Sequence, residues 1–111
     1  MMQQLAQNIW IARLNGDVIS APTESFSVQD AYEIQQQIVA LSGAKQIGWK
    51  VGSTSAEAQA RLGTDEPGAG PLLDRFYYED GADVPIYSTH DVHIEAEFAF
   101  VMSADLAPQS D

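Results

Sequence analysis

Cysteine is absent from the 111 residues, which removes disulfides, zinc–thiolate sites and thiol chemistry together and withdraws the usual support for a secreted scaffold. Positive charge is scarce. Five lysines and arginines stand against 16 aspartates and glutamates, for a net charge of −11. The basic patch that a nucleic acid or an anionic membrane surface demands is therefore not expected. A small anionic substrate is a different matter, because it responds to local rather than total charge. No apolar run approaches the roughly 20 residues that span a bilayer. Met1 to Trp10 has neither a basic start nor a long apolar core, so no signal peptide is expected and a cytoplasmic protein is the default. Internal repeats, low-complexity tracts and a Gly-rich phosphate loop are missing too. No Ser-x-Gly elbow supplies a candidate for covalent nucleophilic catalysis.

What remains is ordinary globular material, 45% apolar, enough for one small domain with a modest core. Its periodicity predicts an α+β chain. Residues 2–14 predict a helix with Leu5, Ile9 and Leu14 near one face and Gly16 as its stop. Asp17 to Phe26, with Pro22, reads as a connection. Ser27 and Asp30 form a capping box for a second helix, with Ala31, Ile34, Ile38 and Leu41 as its core stripe and Gly43 as its end. Ile47 to Gly52 switches to the two-residue period of a strand. Thr54 and Glu57 read as a second capping box, opening a short helix that stops at Gly63. Thr64 to Pro71 is predicted as a shaped loop, Leu72 to Tyr78 as buried chain, and Val84 to Tyr87 as a short strand limited by Pro85. Ala104 to Asp111 reads as a turn and a frayed end.

Two strands carry the candidate chemistry. In Ile94–Met102 the side chains of Ile94, Ala96, Phe98 and Phe100 share one face, while Glu95 and Glu97 share the other with Ala99 and Val101. Such apolar flanks predict burial, and buried carboxylates are costly unless something positive neutralises them. Glutamates two apart on a strand lie roughly 6–7 Å apart at Cα, close enough to converge on one hard cation. A solvated Glu-x-Glu face is the alternative. In Ile47–Gly52, Lys50 stands between Gly48 and Gly52 on its own face, which suits either a ligand approaching closely or an edge strand with a protective lysine. Asp65 adds a loop carboxylate. His90 and His93 are candidate ligands or bases, or simply hydrogen-bonded surface groups.

Four blocks also carry a likeness. Asp30-Ala31-Tyr32-Glu33-Ile34-Gln35, Gly48-Trp49-Lys50-Val51-Gly52-Ser53-Thr54-Ser55, Leu62-Gly63-Thr64-Asp65-Glu66-Pro67 and Ile94-Glu95-Ala96-Glu97-Phe98-Ala99-Phe100-Val101 occur in this order. Together they resemble the 2-keto-4-pentenoate hydratase branch of the fumarylacetoacetate hydrolase family, from about Ser27 to Leu106. The resemblance implies a helical segment over 1–46 followed by the first part of a β-rich catalytic domain over 47–111. That domain would be a mixed β-roll, incomplete in this chain. It implies a lyase of aromatic-compound degradation that hydrates 2-hydroxy-2,4-dienoates to 4-hydroxy-2-oxo acids with Mg²⁺ or Mn²⁺. Sibling activities in the same family are 2-oxo-3-enedioate decarboxylation and acylpyruvate hydrolysis. By likeness Glu95 and Glu97 are metal ligands, Lys50 and Asp65 are catalytic, and the assembly is a homo-oligomer acting on a small anionic 2-oxo or dienoic acid. His93 stands where the family usually has arginine. Family members are considerably longer and carry a third metal carboxylate further on, so the chain is expected to be the N-terminal portion of a longer enzyme. By itself it is expected to behave as a non-catalytic fragment.

Overall fold

A computed structural model describes residues 1–108. The chain is α+β: α1 (Met2–Asn15), α2 (Val28–Ser42), β1 (Gln46–Gly52), α3 (Ala56–Leu62) and β2 (Gly68–Leu73), then a 3-10 turn at Asp74–Phe76. Helix α1 packs on α2, β1 pairs with β2, and α2 leans on β2. No helix among the described residues is long and apolar enough to cross a membrane.

Helix α1 runs as its sequence predicts but turns a different face inward. The expected stripe of Leu5, Ile9 and Leu14 yields to Ala6, Trp10 and Ala12. Trp10 is the reason. Its indole is the largest apolar group on the helix, and enclosing it withdraws more apolar surface from water than enclosing any one of Leu5, Ile9 and Leu14. Its ring meets Phe76 edge-on at 6.3 Å, and the Arg75 guanidinium lies 5.1 Å from its centroid. The helix ends at Gly16, whose φ of 73° is the left-handed conformation that glycine adopts without penalty.

Helix α2 begins at the predicted capping box. Ser27 Oγ accepts from the Asp30 backbone N–H at 3.1 Å, and Asp30 Oδ2 accepts from the Ser27 N–H at 2.9 Å and its hydroxyl at 2.7 Å. Of its apolar stripe, Ile34 is buried, whereas Leu41 reaches solvent at the last turn. Helix α3 forms one residue later than its capping pattern predicts. Ser55, rather than Thr54, accepts from the Ala58 N–H.

The sheet is one antiparallel pair, with Gln46 opposite Leu73, Lys50 opposite Gly70 and Gly52 opposite Gly68. The predicted loop Thr64–Pro71 is thus half strand, because Gly68 to Pro71 belong to β2. Pro71 is tolerated for a geometric reason. Ala69 sends its N–H away from β1 to Tyr32, and by the ladder's alternation the nitrogen of Pro71 points the same way, so no sheet hydrogen bond is lost. Of the stretch expected to be buried from Leu72 to Tyr78, only Leu73 is fully enclosed, and the 3-10 turn swings Tyr77 outward.

Two predicted strands do not form. Val84–Tyr87 has no strand beside it; its end is docked instead on the C-terminus of α1. Tyr87 Oη donates to the Leu14 carbonyl, Thr89 Oγ1 to that of Gly16, and His90 Nε2 to that of Asp17. The first of these satisfies a last-turn carbonyl that the end of a helix leaves without a partner, and the other two tie down the cap and the residue after it. Ile94–Met102 forms no ladder, and its predicted burial is reversed, with Phe98 97% exposed. Neither segment has a neighbouring backbone to pair with among the described residues. The predicted frayed end runs past Pro108, so its last part lies outside the described residues.

Candidate active site

Lys50 is the centre of the site. The β1 alternation puts Gly48, Lys50 and Gly52 on the half-covered face and leaves Ile47, Trp49 and Val51 exposed on the other. With glycine on either side and Gly70 across the ladder, no neighbouring side chain crowds the lysine. Its ammonium pairs with Glu97 and, at 3.3 Å, with Glu95. The glutamates therefore meet the lysine from a segment with no strand pairing among the described residues. Both acids remain more than half exposed, so water screens the attraction. Glu97 is the main reason that Lys50 is held above its ordinary value of 10.5; partial desolvation opposes this, and Glu95 adds to it.

Lys50 also borders a cavity of about 530 Å³ between α2, α3 and β2, whose wall includes Asp65. Lysine and aspartate thus line one hollow. Two features shape it. Ser53, just after β1, has φ 54°, a left-handed conformation rare for a residue with a Cβ. Gln59 of α3 donates to the Ser53 carbonyl at 2.9 Å and holds that turn. On the opposite wall, α2 grips the Ala69 peptide from both sides. The Ala69 N–H donates to Tyr32 Oη at 3.1 Å, and Gln35 Nε2 donates to the Ala69 carbonyl at 3.1 Å.

The chain is 35% identical to a 2-keto-4-pentenoate hydratase of Paraburkholderia xenovorans (strain LB400) over 94% of its own length and 41% of the relative's. The same figures hold for 2-keto-4-pentenoate hydratase 3 of Pseudomonas putida. The chain is a relative of the 2-keto-4-pentenoate hydratases. A 2-oxo-hept-4-ene-1,7-dioate hydratase of Escherichia coli is 36% identical over 79% of the chain and 34% of that protein. No family model matches the chain. It spans about two fifths of the length of the hydratases it matches.

The donors near Lys50 fit the divalent ion that the sequence resemblance implies in kind but not in number. Carboxylate oxygens suit a hard cation, which takes about six oxygen ligands in all, waters and substrate oxygens among them. Among the described residues no three acidic or histidine side chains gather where they could hold an ion. Glu95 and Glu97 are two such donors, both paired with an ammonium group. The histidines lie elsewhere. His90 is bound to Asp17, and its Nε2 must carry the proton because a carbonyl only accepts. His93, at the family's arginine position, is exposed and sits 3.0 Å from Asp91.

Tyr32 and Gln35 have no role in the sequence reading, although both lie in one of its four matching blocks. A signal was available. They fall one helical turn apart, beside the apolar stripe, where two hydrogen-bonding side chains face the next layer of the fold.

Proposed function

We propose that the protein carrying this chain hydrates 2-hydroxy-2,4-dienoates to 4-hydroxy-2-oxo acids in the degradation of aromatic compounds. The observation that carries the reading is the meeting of Lys50, Glu95 and Glu97 beside a cavity that also holds Asp65, in a chain related to 2-keto-4-pentenoate hydratases. Glu95 and Glu97 are the proposed donors for Mg²⁺ or Mn²⁺, which when bound would supply a Lewis acid for the substrate's carboxylate and 2-oxygen. Lys50 offers a cation, without crowding neighbours, to the negative charge that grows on the 2-oxygen as the dienol loses its proton. Asp65 is assigned the role of proton carrier, accepting the proton of the 2-hydroxyl and delivering a proton to the terminal carbon as the dienol becomes a ketone. Water then adds to the carbon two bonds from the carbonyl, giving the 4-hydroxy product.

The same reading takes 1–46 as a helical lead-in and 47–111 as the opening of a mixed β-roll of the fumarylacetoacetate hydrolase type. The parent protein is proposed to be a cytoplasmic homo-oligomer. For the 111 residues alone we propose no turnover, because two exposed carboxylates are too few to hold a divalent ion firmly. The test is spectrophotometric. The complete protein with Mg²⁺ is expected to bleach the absorbance of 2-hydroxypenta-2,4-dienoate and form a 4-hydroxy-2-oxo acid. Absence of any change with dienoates refutes the reading, and release of CO₂ or cleavage to pyruvate reassigns it to decarboxylase or hydrolase.

A further inference from the structure

A second cavity, of about 950 Å³, opens where the C-terminal end of α1 meets the 3-10 turn and the segment after it. It shares no lining residue with the cavity beside Lys50. Two of the chain's five basic side chains line it, Arg13 from the last turn of α1 and Arg75 from the 3-10 turn. Both guanidiniums gather on one aromatic ring. Arg13 lies 4.2 Å and Arg75 5.4 Å from the centroid of Phe76, and Trp10 flanks Arg75. Contact with a ring uses the charge and leaves the N–H donors free. Among the described residues neither guanidinium donates a hydrogen bond or joins an ion pair; the hydrogen bonds of this region run from Tyr87, Thr89 and His90. Two acids also line the cavity without neutralising the arginines. Asp91 sits 3.0 Å from His93, and Asp17 pairs with no basic group among the described residues.

Two like charges held on one ring repel each other, and an anion that accepts from both removes that repulsion. One carboxylate cancels only one of the charges. A phosphate monoester carries nearly two negative charges at neutral pH and offers three acceptor oxygens, enough for two planar forks. Beyond the arginines the lining is largely hydrocarbon from Leu14, Ile19, Val84, Ile86 and Val92, each between 39% and 69% exposed. Covering such a surface is favourable. We propose that this cavity binds a phosphate monoester with an apolar body, its oxygens on Arg13 and Arg75 and its body against the end of α1 and the segment from Val84 to Val92. The site is separate from the one read as catalytic, and it does not depend on that reading.

Calorimetry on the complete protein in magnesium-free buffer at about pH 7.5, where the phosphate is mostly doubly charged, tests this with phenyl phosphate, inorganic phosphate and benzoate. Phenyl phosphate is expected to bind roughly fivefold more tightly than inorganic phosphate, through its ring, and roughly tenfold more tightly than benzoate, through its charge. Arg13→Gln and Arg75→Gln are each expected to weaken it about tenfold. Arg75 also packs on Trp10, so Arg13→Lys guards against a fold defect: it keeps the charge, loses the fork, and is expected to weaken binding about threefold. Lys50→Gln is expected to leave binding unchanged. No binding of phenyl phosphate, or binding unmoved in both glutamine variants of the arginines, overturns the site. Benzoate at equal strength overturns the phosphate assignment, and inorganic phosphate at equal strength overturns the apolar body. Loss of binding in Lys50→Gln overturns the separation from the Lys50 cavity.

Discussion

Replacing Tyr32 with phenylalanine removes a single oxygen atom and leaves the Ala69 N–H without its partner at 3.1 Å. The bond is partly buried and joins residues 37 apart in sequence, so it ties α2 to the cavity wall. A hydrogen bond of this kind contributes about 0.5–1.5 kcal/mol net, and up to about 3 kcal/mol is lost if water cannot reach the abandoned donor. At about 1.4 kcal/mol per tenfold change, a loss near 1 kcal/mol corresponds to about fivefold. Native-state amide exchange followed by NMR reads it directly. The Ala69 amide in Tyr32→Phe is expected to exchange about five- to tenfold faster. The Lys50 and Gly70 amides, opposite one another in the ladder, are expected to change little. Gln35→Leu removes the companion bond to the same peptide, and the two substitutions should couple by about 0.5 kcal/mol or more because they share one partner. Unchanged exchange at Ala69 refutes the clamp. Equal acceleration throughout β1 and β2 refutes it too, since that pattern reports general loosening.

Glu97→Gln removes the main cause of the raised Lys50 titration. Its contribution is complete below the unfolded value near 10.5 and is lost as pH rises through the higher folded one. NMR of ¹³C-labelled lysine should show the Lys50 midpoint falling in the variant, and the complete protein should lose metal-dependent turnover with its circular dichroism unchanged. Asp30 is held below its ordinary 3.8, first by the Ser27 hydroxyl and then by the Ser27 backbone N–H. Its support for α2 is therefore present above about pH 4 and lost as pH falls through the lower folded value, so a carboxyl titration by NMR should find its midpoint below 3.8, and Ser27→Ala should raise it. Trp10→Ala empties the contact among α1, Phe76 and Arg75. It should cost about 3–5 kcal/mol, or abolish the cooperative transition in urea.

Those parts of the fold decided within a few residues were legible in the sequence. The Ser27–Asp30 cap, the glycine stops at Gly16, Gly43 and Gly63, and the alternation around Lys50 all stand as predicted. Each is local chemistry: a hydroxyl within reach of an amide, or a backbone angle that glycine takes freely. The rotation of α1 was hidden because it depends on Phe76 and Arg75, which meet Trp10 only after the chain has folded back. The α2 grip on Ala69 was hidden for the same reason. Tyr32 and Gln35 gave no sign of which peptide they would hold, and Ala69 contributes only its backbone.

The acidic segment shows where periodicity stops carrying information. Alternation in Ile94–Val101 assigns side chains to two faces, but a strand also needs a neighbouring backbone, and no residue encodes its partner's presence. In this chain the only ladder is β1 with β2 among the described residues, and Ile94, Phe98, Phe100 and Val101 stand almost fully in solvent. Glu95 and Glu97 therefore meet Lys50 through side-chain ion pairs alone, without a register that fixes their separation. A catalytic group must be held to within about half an ångström of its working position, and screened ion pairs do not hold so tightly. The lysine has its rigid support in β1, while Glu95 and Glu97 reach it from a segment without strand pairing among the described residues.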